Sequence, residues 1–280
     1  MADIALETHE AKMKASGSSF YAGMRLLPKC EREAMFAIYA FAHAVDDIAD
    51  EGDDPRETRR AALAEWRRDI ESLYESSPTP RAVFLAEPVR RYGLRKDDFL
   101  ALIDGMEMDV VEDIRAPDLA TLDLYCDRVA SAVGRLSVKV FGMDEEPGLK
   151  LAHHLGRALQ LTNILRDLDK DAEVGRLYLP RDYLDEVWIA ASDPKTVIAE
   201  PAVDKVARRL AGLAHEHYRG ADAVLAARPR GLLRAPRLMG AVYSEILRKM
   251  ERAGWSPPRQ RVRIGKPFLL LIVLAQVLKG

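Results

Sequence analysis

The chain has little that could form a disulfide, a zinc site or a membrane span. Only two cysteines occur, Cys30 and Cys126, and both lie in apolar segments with helical periodicity, so we expect free thiols rather than a disulfide. No CxxC or HxxxH spacing indicates zinc. No apolar run is long enough for a transmembrane helix, and residues 1–19 lack the apolar core of a signal peptide. These absences favour a cytoplasmic protein.

The chain also has no large excess of charge of one sign, and strand-like alternation is scarce. The net charge is −2, which gives no reason to expect a nucleic-acid partner. Hydrophobic residues make up 48% and charged residues 31% of the chain, a balance typical of globular proteins. Because helical periodicity dominates, the sequence predicts an all-α fold with a central cavity. We expect one domain over residues 1–280, with residues 1–15 poorly ordered and an apolar segment at residues 266–280.

Proline and glycine divide the chain into helix-sized segments. Breaks are predicted at Pro28, residues 52–55, residues 76–80, Gly93, Pro117, Pro147 and Gly148, Pro180, Pro194, Pro201, Pro229, Pro236, and Pro257 with Pro258. Pro55 is expected to open the helix that follows it. None of these breaks is long enough to separate two domains.

Two short acidic motifs carry the strongest functional signal. HAVDDIAD contains Asp46 and Asp50, and NILRDLDKD contains Asp167 and Asp171, each pair at spacing i and i+4. On a helix, that spacing puts two like charges one turn apart, where they repel unless a cation lies between them. Two such pairs facing each other would form an oxygen-rich site for Mg²⁺, completed by substrate phosphates.

Each acidic motif continues as a polar stripe on an apolar helix. Tyr39 and His43 precede the first aspartate pair at helical spacing within the apolar segment 34–49, and Gln160 and Asn163 precede the second pair in the same way. A helix that is apolar almost all round is buried, so its polar stripe should face an internal cavity. A lone DxxxD match is usually a solvated helix face, but two matches on such stripes favour a metal site.

A third informative segment lies between the acidic motifs. Ala130, Gly134 and Ser137 form a stripe of small residues on one predicted helix. The stripe indicates either close packing between helices or a groove for a long apolar ligand. Tyr125 lies on the same segment, and its hydroxyl could project into that cavity.

Two arginines accompany the second acidic motif. Arg166 lies within it, and Arg176 follows in the segment GRLYLP. A guanidinium matches phosphate oxygens with two parallel hydrogen bonds, which makes both arginines candidate diphosphate ligands. The alternative for each is a surface ion pair.

The chain resembles the squalene/phytoene synthases, the head-to-head trans-prenyltransferases, from residue 19 to about residue 255. The motifs VDDIAD, YCDRVASAVG and QLTNILRD carry the resemblance. Within the family, SSFYAGMRLLP, IDGMEMDV and GRLYLPR favour the bacterial branch that makes presqualene diphosphate. The resemblance implies the all-α isoprenoid synthase fold and a cavity that binds two farnesyl diphosphates.

The same resemblance implies roles for individual residues. It implies that Mg²⁺, or Mn²⁺ in its place, is bound by Asp46, Asp50, Asn163, Asp167 and Asp171. It also implies that Tyr125 lies at the reaction centre beside these aspartates. It implies substrate binding by Ser19, Tyr39, His43, Gln160, Arg166, Arg176 and Tyr243. His43 departs from the arginine that the family commonly has there, and an imidazole is a shorter and only partly charged phosphate ligand.

The implied reaction is the Mg²⁺-dependent condensation of two farnesyl diphosphates to presqualene diphosphate, with release of diphosphate. NADPH is not expected, and the chain has no GxGxxG loop. Alternatives within the family are dehydrosqualene, squalene and phytoene synthases. A non-catalytic assembly protein is a further alternative, although such a relative should have lost its aspartates.

The C-terminus has two interpretations. Residues 267–278 are strongly apolar but too short to span a bilayer, and the basic residues that precede them are Arg259, Arg261, Arg263 and Lys266. The segment is either a last helix docked on the core or a peripheral contact with the inner face of the membrane. An enzyme that takes the product onward in the squalene pathway is a further candidate partner.

Overall fold

The computed structural model describes residues 23–50, 55–75, 77–112 and 114–265. Its helices are α1 (Lys29–Asp50), α2 (Arg56–Tyr74), α3 (Ala86–Tyr92), α4 (Lys96–Glu107), α5 (Leu119–Cys126), α6 (Ala132–Val140), α7 (Glu145–Arg166), α8 (Leu168–Glu173), α9 (Arg181–Asp185), α10 (Pro194–Ala199), α11 (Val203–Ala226) and α12 (Arg234–Ala253). Short 3₁₀ and π-helical turns occur at Val83–Leu85, Met108–Glu112 and Asp127–Ser131. These ranges contain no strand, which confirms the all-α prediction.

The chain ends, the helix lengths and the two cysteines each bear on a prediction from the sequence. The expected disorder of residues 1–15 and the apolar segment 266–280 lie outside the described residues. Across the described ranges, no helix combines the length and apolar character that crossing a membrane requires. Cys30 is half-buried and Cys126 is buried, and both are free thiols as predicted.

Helix α7 lies at the centre of the packing. It contacts α11, α6, α12, α5 and the π-helical turn before α6. Its apolar residues Leu151, Ala158, Leu161 and Ile164 are at most 2% exposed. Burying a leucine or isoleucine side chain in this way stabilises the fold by about 1.5–3 kcal/mol. Side chains that α7 directs between its neighbours are therefore held on a rigid element.

Helix α1 is buried on almost every side, as its composition predicts. Ile38, Phe41 and Val45 are fully buried. The Phe41 ring meets Trp66 and Phe99 edge-to-face, with centroid distances of 5.4 and 5.3 Å, an arrangement that aromatic rings favour. The polar residues of α1 therefore have no bulk solvent to face on these sides of the helix.

Two glycines allow α7 to lie very close to α6 and the turn before it. A Cβ atom on Gly134 would lie 3.1 Å from the Cα of Ala152, and one on Gly156 would lie 2.7 Å from the Cα of Ser131. Larger residues would push the helices apart. At Gly134, the stripe of small residues therefore serves helix packing.

Most predicted breaks agree with the helix ends, and two do not. Lys29 begins α1 directly after Pro28, Pro55 precedes the first residue of α2, and Gly93 ends α3 with a φ of 59°. The predicted breaks at Pro147 and Pro236 are wrong, because these prolines lie in the first turns of α7 and α12. First-turn N–H groups have no partner within a helix, so a proline costs no hydrogen bond there.

The helix break in the second acidic motif was not predicted. Helix α7 ends at Arg166, Asp167 has φ −109° and ψ 16°, and α8 begins at Leu168. The amide of Asp171 still donates to the carbonyl of Asp167 at 2.9 Å. The expectation of one straight polar stripe running from Gln160 to Asp171 is therefore wrong, because the helix axis is interrupted at Asp167.

Candidate active site

A cavity of about 680 Å³ lies between α1, α4, α7, α12 and the turn before α6, with residues 261–264 along one side. Its apolar walls include Leu102, Met106, Val129, Leu159 and Ile246. Its polar side chains come mainly from α1 and α7. The cavity therefore combines apolar walls with a cluster of charged and polar groups.

Seven of the predicted site residues line this cavity. They are Tyr39, His43 and Asp46 from α1, Gln160, Asn163 and Arg166 from α7, and Tyr243 from α12. Both predicted polar stripes therefore reach the same space. The roles of these residues stay predictions.

Close contacts link the residues of the α1 stripe. The rings of Tyr39 and His43 lie 5.6 Å apart, and His43 Nδ1 lies 3.5 Å from an oxygen of Asp47. Burial raises the pKa of the Tyr39 hydroxyl, and the nearby Tyr243 and Asp46 raise it further. Tyr39 therefore stays protonated and available as a hydrogen-bond donor at neutral pH.

Asn163 has an unpaired oxygen in the wall of the cavity. Its side-chain Oδ1 is buried and has no hydrogen-bond partner among the described residues. A buried polar atom without a partner costs about 1–3 kcal/mol. Amide and carboxylate oxygens are the ligands that Mg²⁺ prefers, and Asp46 lines the same cavity. The donor set present here therefore fits a hard divalent cation.

Asp167 is held by two arginines. Its carboxylate accepts from Arg166 at 3.1 and 2.7 Å and from Arg261 at 2.5 and 3.1 Å. Burial alone would raise the pKa of Asp167, but the hydrogen bonds and charges of the two guanidinium groups outweigh burial and lower it. In the sequence, Arg261 belongs to the basic run before the apolar C-terminal residues, and no pattern there indicates this contact.

Arg176 joins the two acidic motifs. Its amide donates to the carbonyl of Asp171 at 2.8 Å, and its guanidinium donates to the carbonyl of Ala49 at 2.7 Å. Arg59 also donates to Ala49, at 3.2 Å. These cations lie at the C-terminal end of α1, where the helix dipole favours positive charge. The ends of both motifs are thus adjacent, although Arg176 and Asp171 are not among the residues that line the cavity.

Two predicted residues are beyond direct description. Ser19 lies outside the described residues, and of Asp50 only the backbone is described, at the end of α1.

Tyr125 is in a different environment from the one expected. It is buried, and its hydroxyl donates to Asp109 at 2.9 Å and lies 3.2 Å from the Tyr178 hydroxyl. The two rings stack 4.9 Å apart, and Tyr178 donates to the other oxygen of Asp109 at 2.7 Å. Tyr125 is absent from the cavity lining among the described residues. Burial raises the pKa of Tyr125 well above its ordinary value, and the charge of Asp109 adds to the shift.

Asp109 was missed as a site candidate. It is a 9% exposed carboxylate in the π-helical turn after α4, and Arg176 Nε lies 4.0 Å from it. The signal in the sequence was a single aspartate between Met108 and Val110, within a segment that served only to favour one branch of the family. Asp109 and Tyr178 connect Tyr125 to Arg176 and so to the acidic motifs.

A narrow apolar cavity of about 90 Å³ adjoins the large one. The two share Ala130, Val133, Gly156, Leu159 and Met239 in their walls. The narrow cavity also reaches Gly134 and Ser137, so the small-residue stripe lines a groove as well as packing against α7. A ligand with an anionic head and a long apolar chain fits this combination of spaces.

Comparisons with known proteins identify the family of the chain. The family model described as squalene/phytoene synthase matches residues 13–267. The chain is 55% identical over 260 residues to the presqualene diphosphate synthase of Rhodopseudomonas palustris, covering 93% of each protein. It is 57% identical over 260 residues to the presqualene diphosphate synthase of Zymomonas mobilis, covering 93% of this chain and 89% of that protein.

Solved structures show the same fold. A crystal structure of a dehydrosqualene synthase in complex with a ligand superposes with a TM-score of 0.84 at 23% identity, covering 99% of this chain and 97% of the other. The squalene synthase HpnC from Alicyclobacillus acidocaldarius superposes with a TM-score of 0.77 at 25% identity, covering 91% and 96%. The predicted isoprenoid synthase fold is confirmed.

Proposed function

The chain belongs to the squalene/phytoene synthase family, and from that premise we propose that it condenses two farnesyl diphosphates head to head into presqualene diphosphate. The observation that carries the proposal is its identity of 55–57% with presqualene diphosphate synthases over nearly the whole chain. The cavity, with polar groups from α1 and α7 and apolar walls, supports it.

The proposed cation is Mg²⁺, with Mn²⁺ as a substitute. Asp46 and Asn163 are its proposed ligands from the cavity wall, and Asp50, Asp167 and Asp171 are proposed from the motifs. When bound, such an ion neutralises the negative charge of a diphosphate and makes it a better leaving group. The buried, unpaired oxygen of Asn163 supports this assignment.

The arginines and the apolar walls have separate proposed roles. Arg166, Arg176 and Arg261 bind and orient the diphosphate, with His43, Gln160, Tyr39 and Tyr243 beside it. One farnesyl diphosphate loses diphosphate to leave an allylic cation, which the C2–C3 double bond of the second molecule attacks. Loss of one proton then closes a cyclopropane ring. The apolar walls exclude water, which would otherwise capture the cation.

The proton acceptor in this proposal is the released diphosphate. Tyr125 was the alternative, but its raised pKa keeps the phenol protonated at neutral pH, and Asp109 already accepts its hydrogen bond. Tyr125 is therefore proposed to position Asp109. No reduction occurs in this reaction, so NADPH is not required.

Product analysis tests the proposal. The purified protein is incubated with farnesyl diphosphate and Mg²⁺, with and without NADPH, and the products are identified by mass spectrometry before and after phosphatase. Presqualene alcohol after phosphatase, with no effect of NADPH, is the expected result. Squalene formed with NADPH, or a C30 hydrocarbon formed without it, would assign the protein to another branch. Absence of turnover with farnesyl and geranylgeranyl diphosphates would favour the assembly role.

Asp46 and Asp47 provide a matched pair of variants for the same assay. Asp46 lines the cavity, whereas Asp47 lies beside His43 and is not part of the lining. Asp46→Asn should lower kcat by about 100-fold or more, the usual cost of losing a group that stabilises charge in the transition state. Asp47→Asn should lower it far less.

Two proposals concern partners. Residues 267–280 are proposed to contact the membrane surface peripherally, and an enzyme of the squalene pathway is proposed to accept the product. Residues 267–280 lie outside the described residues. Deleting residues 267–280 should reduce flotation with anionic liposomes, and unchanged flotation would rule out this anchor.

A further inference from the structure

Three imidazoles converge between α7 and α11, away from the residues that line the cavity. His153 and His154 belong to α7 and His217 to α11, and one ring nitrogen of each lies within 4.8 Å of the others. His154 Nδ1 and His217 Nδ1 are 3.2 Å apart. Three of the six histidines of the chain therefore meet at one contact between two helices. Their positions, 153, 154 and 217, explain why no zinc spacing was recognised in the sequence.

The distances are close to those of a metal site. Zinc binds histidine nitrogen at about 2.0–2.1 Å, so two ligands of a tetrahedral ion lie about 3.3–3.4 Å apart. The pair His154 and His217 already has nearly this separation. His153 is exposed, so its ring can rotate towards the other two without disturbing the core. The ring centroids, 4.8–5.5 Å apart, place the three imidazoles around one point.

Gly220 provides the space for one of these rings. It lies one turn after His217 on α11, and a Cβ atom there would lie 2.5 Å from Nδ1 and 2.6 Å from Cγ of His154. Any other residue would push the imidazole away from His217. The close approach of the α11 backbone at Gly220 therefore allows His154 Nδ1 to lie 3.2 Å from His217 Nδ1.

The charges around the cluster tolerate a cation. Arg157 lies beside the histidines, but its guanidinium is bound by Asp123 at 2.6 and 2.9 Å and by Asp127 at 3.0 Å. The guanidinium charge is therefore balanced by two carboxylates, and a neutral imidazole has a nitrogen lone pair to offer a metal ion.

We propose that His153, His154 and His217 bind a divalent transition-metal ion of the zinc class. Imidazole is a preferred ligand of such ions, and three histidines leave a fourth position for water. The ion links α7 to α11 and stabilises the helix that carries Gln160, Asn163 and Arg166 towards the cavity. This site is separate from the proposed Mg²⁺ site and takes no part in the condensation.

The test uses cobalt and zinc on the full-length protein. Bound metal is removed with a chelator, saturating Mg²⁺ is added to occupy oxygen-rich sites, and Co²⁺ is titrated while visible absorption is followed. We expect one equivalent to bind with the intense ligand-field bands of a tetrahedral nitrogen site, and Zn²⁺ to displace it. Zn²⁺ should also raise the Tm of the chelator-treated protein in the absence of substrate.

Variants of the three histidines and of Gly220 show whether the Co²⁺ absorption bands come from this cluster. His154→Ala and His217→Ala should abolish the tetrahedral bands, and Gly220→Ala should weaken Co²⁺ binding by about tenfold or more by displacing the His154 ring. His215→Ala is the matched control, because His215 is also on α11 but pairs with Glu251 at 2.9 Å. If the variants at the half-buried His154 and His217 fail to fold, His153→Gln changes an exposed ligand and should still lower the affinity for Co²⁺.

Either of two results would overturn the proposal. One is no uptake of Co²⁺ at micromolar concentration, in which case His154 and His217 are joined only by a hydrogen bond. The other is binding with weak, octahedral-type bands that survives in His217→Ala, which would place the ion at another site. Neither result depends on catalytic activity, so the proposed condensation is tested separately.

Discussion

Arg261 binds the carboxylate of Asp167 with two parallel hydrogen bonds, at 2.5 and 3.1 Å. The segment that carries Arg261 is fixed by Trp255, whose indole donates to the carbonyl of Leu165 at 2.9 Å and whose amide donates to Asp204 at 2.7 Å. A guanidinium from the C-terminal segment thus occupies the oxygens of a proposed Mg²⁺ ligand. Arg261 therefore neutralises a charge that a bound cation would otherwise neutralise.

Replacing Arg261 should make Mg²⁺ bind more readily. The pair is half-exposed on the arginine side, and such ion pairs contribute about 0.2–1 kcal/mol. Arg261→Gln should therefore lower the Mg²⁺ concentration for half-maximal activity by about two- to fivefold. The measurement is a Mg²⁺ titration of initial rate at saturating farnesyl diphosphate.

Arg259→Gln is the control for this titration. Arg259 lies in the same segment as Arg261 but pairs with Asp169 instead of Asp167. An unchanged Mg²⁺ requirement in Arg261→Gln, together with a higher KM for farnesyl diphosphate, would mean that Arg261 serves only as a diphosphate ligand.

The polar stripe of α1 could be predicted because its cause is local. Once residues 34–49 are recognised as apolar on nearly every side, Tyr39, His43 and Asp46 can only face an internal space. Gln160 and Asn163 follow the same rule and line the cavity. The rule does not extend to Asp167, because α7 ends before it and no glycine or proline marks that end. Arg261, which binds Asp167, comes from 94 residues further along the chain, and helical periodicity carries no information about such a contact.

Tyr125 and Tyr178 should have equivalent effects on stability. Each hydroxyl donates to one oxygen of the buried Asp109 carboxylate. Removing either donor leaves a buried charge less satisfied, at a cost of about 1–3 kcal/mol. Tyr125→Phe and Tyr178→Phe should therefore each lower the free energy of unfolding by a similar amount, measured by urea denaturation. A fall in kcat in Tyr125→Phe alone, with unchanged stability, would return Tyr125 to the reaction centre.

The raised pKa values of Tyr125 and Tyr178 should make the stability of the fold sensitive to alkaline pH. Burial raises the pKa of both hydroxyls in the folded protein, so an unfolded chain ionises first as the pH rises. Their contribution to stability is complete below the ordinary tyrosine pKa of about 10 and is lost above it. Unfolding free energies measured from pH 8 to pH 11 should therefore fall near the upper end. The fall should be smaller in Tyr125→Phe, and an equal fall in both proteins would contradict this assignment.

Asp109 illustrates what sequence patterns could not supply. Its partners Tyr125 and Tyr178 are 16 and 69 residues away, and Arg176 approaches it from the segment that follows the second motif. A lone aspartate in an apolar segment indicates a buried charge that needs partners, but it does not identify them. The same holds for His217, which meets His154 only because α7 packs against α11.

Ser137 offers a test of where the apolar chain of the substrate ends. It lies in the wall of the narrow cavity, beside Gly134 and Phe141. Ser137→Leu adds volume that this cavity cannot hold together with an isoprenoid tail. We expect kcat/KM for farnesyl diphosphate to fall by about tenfold or more, since an excess of one or two carbons in an apolar pocket costs about 1–3 kcal/mol. Geranyl diphosphate, which is five carbons shorter, should be affected much less.

Lys139→Leu is the matched control, because it adds the same side chain to α6 at a position outside both cavities. Both variants are assayed with the two diphosphates after their Tm values are compared, since overpacking alone can cost about 1–3 kcal/mol of stability. Equal losses with farnesyl and geranyl diphosphates would show that the tail does not enter the narrow cavity. A selective loss with the longer substrate would instead make the depth beside Ser137 the determinant of chain length, and therefore of whether the protein can also accept geranylgeranyl diphosphate.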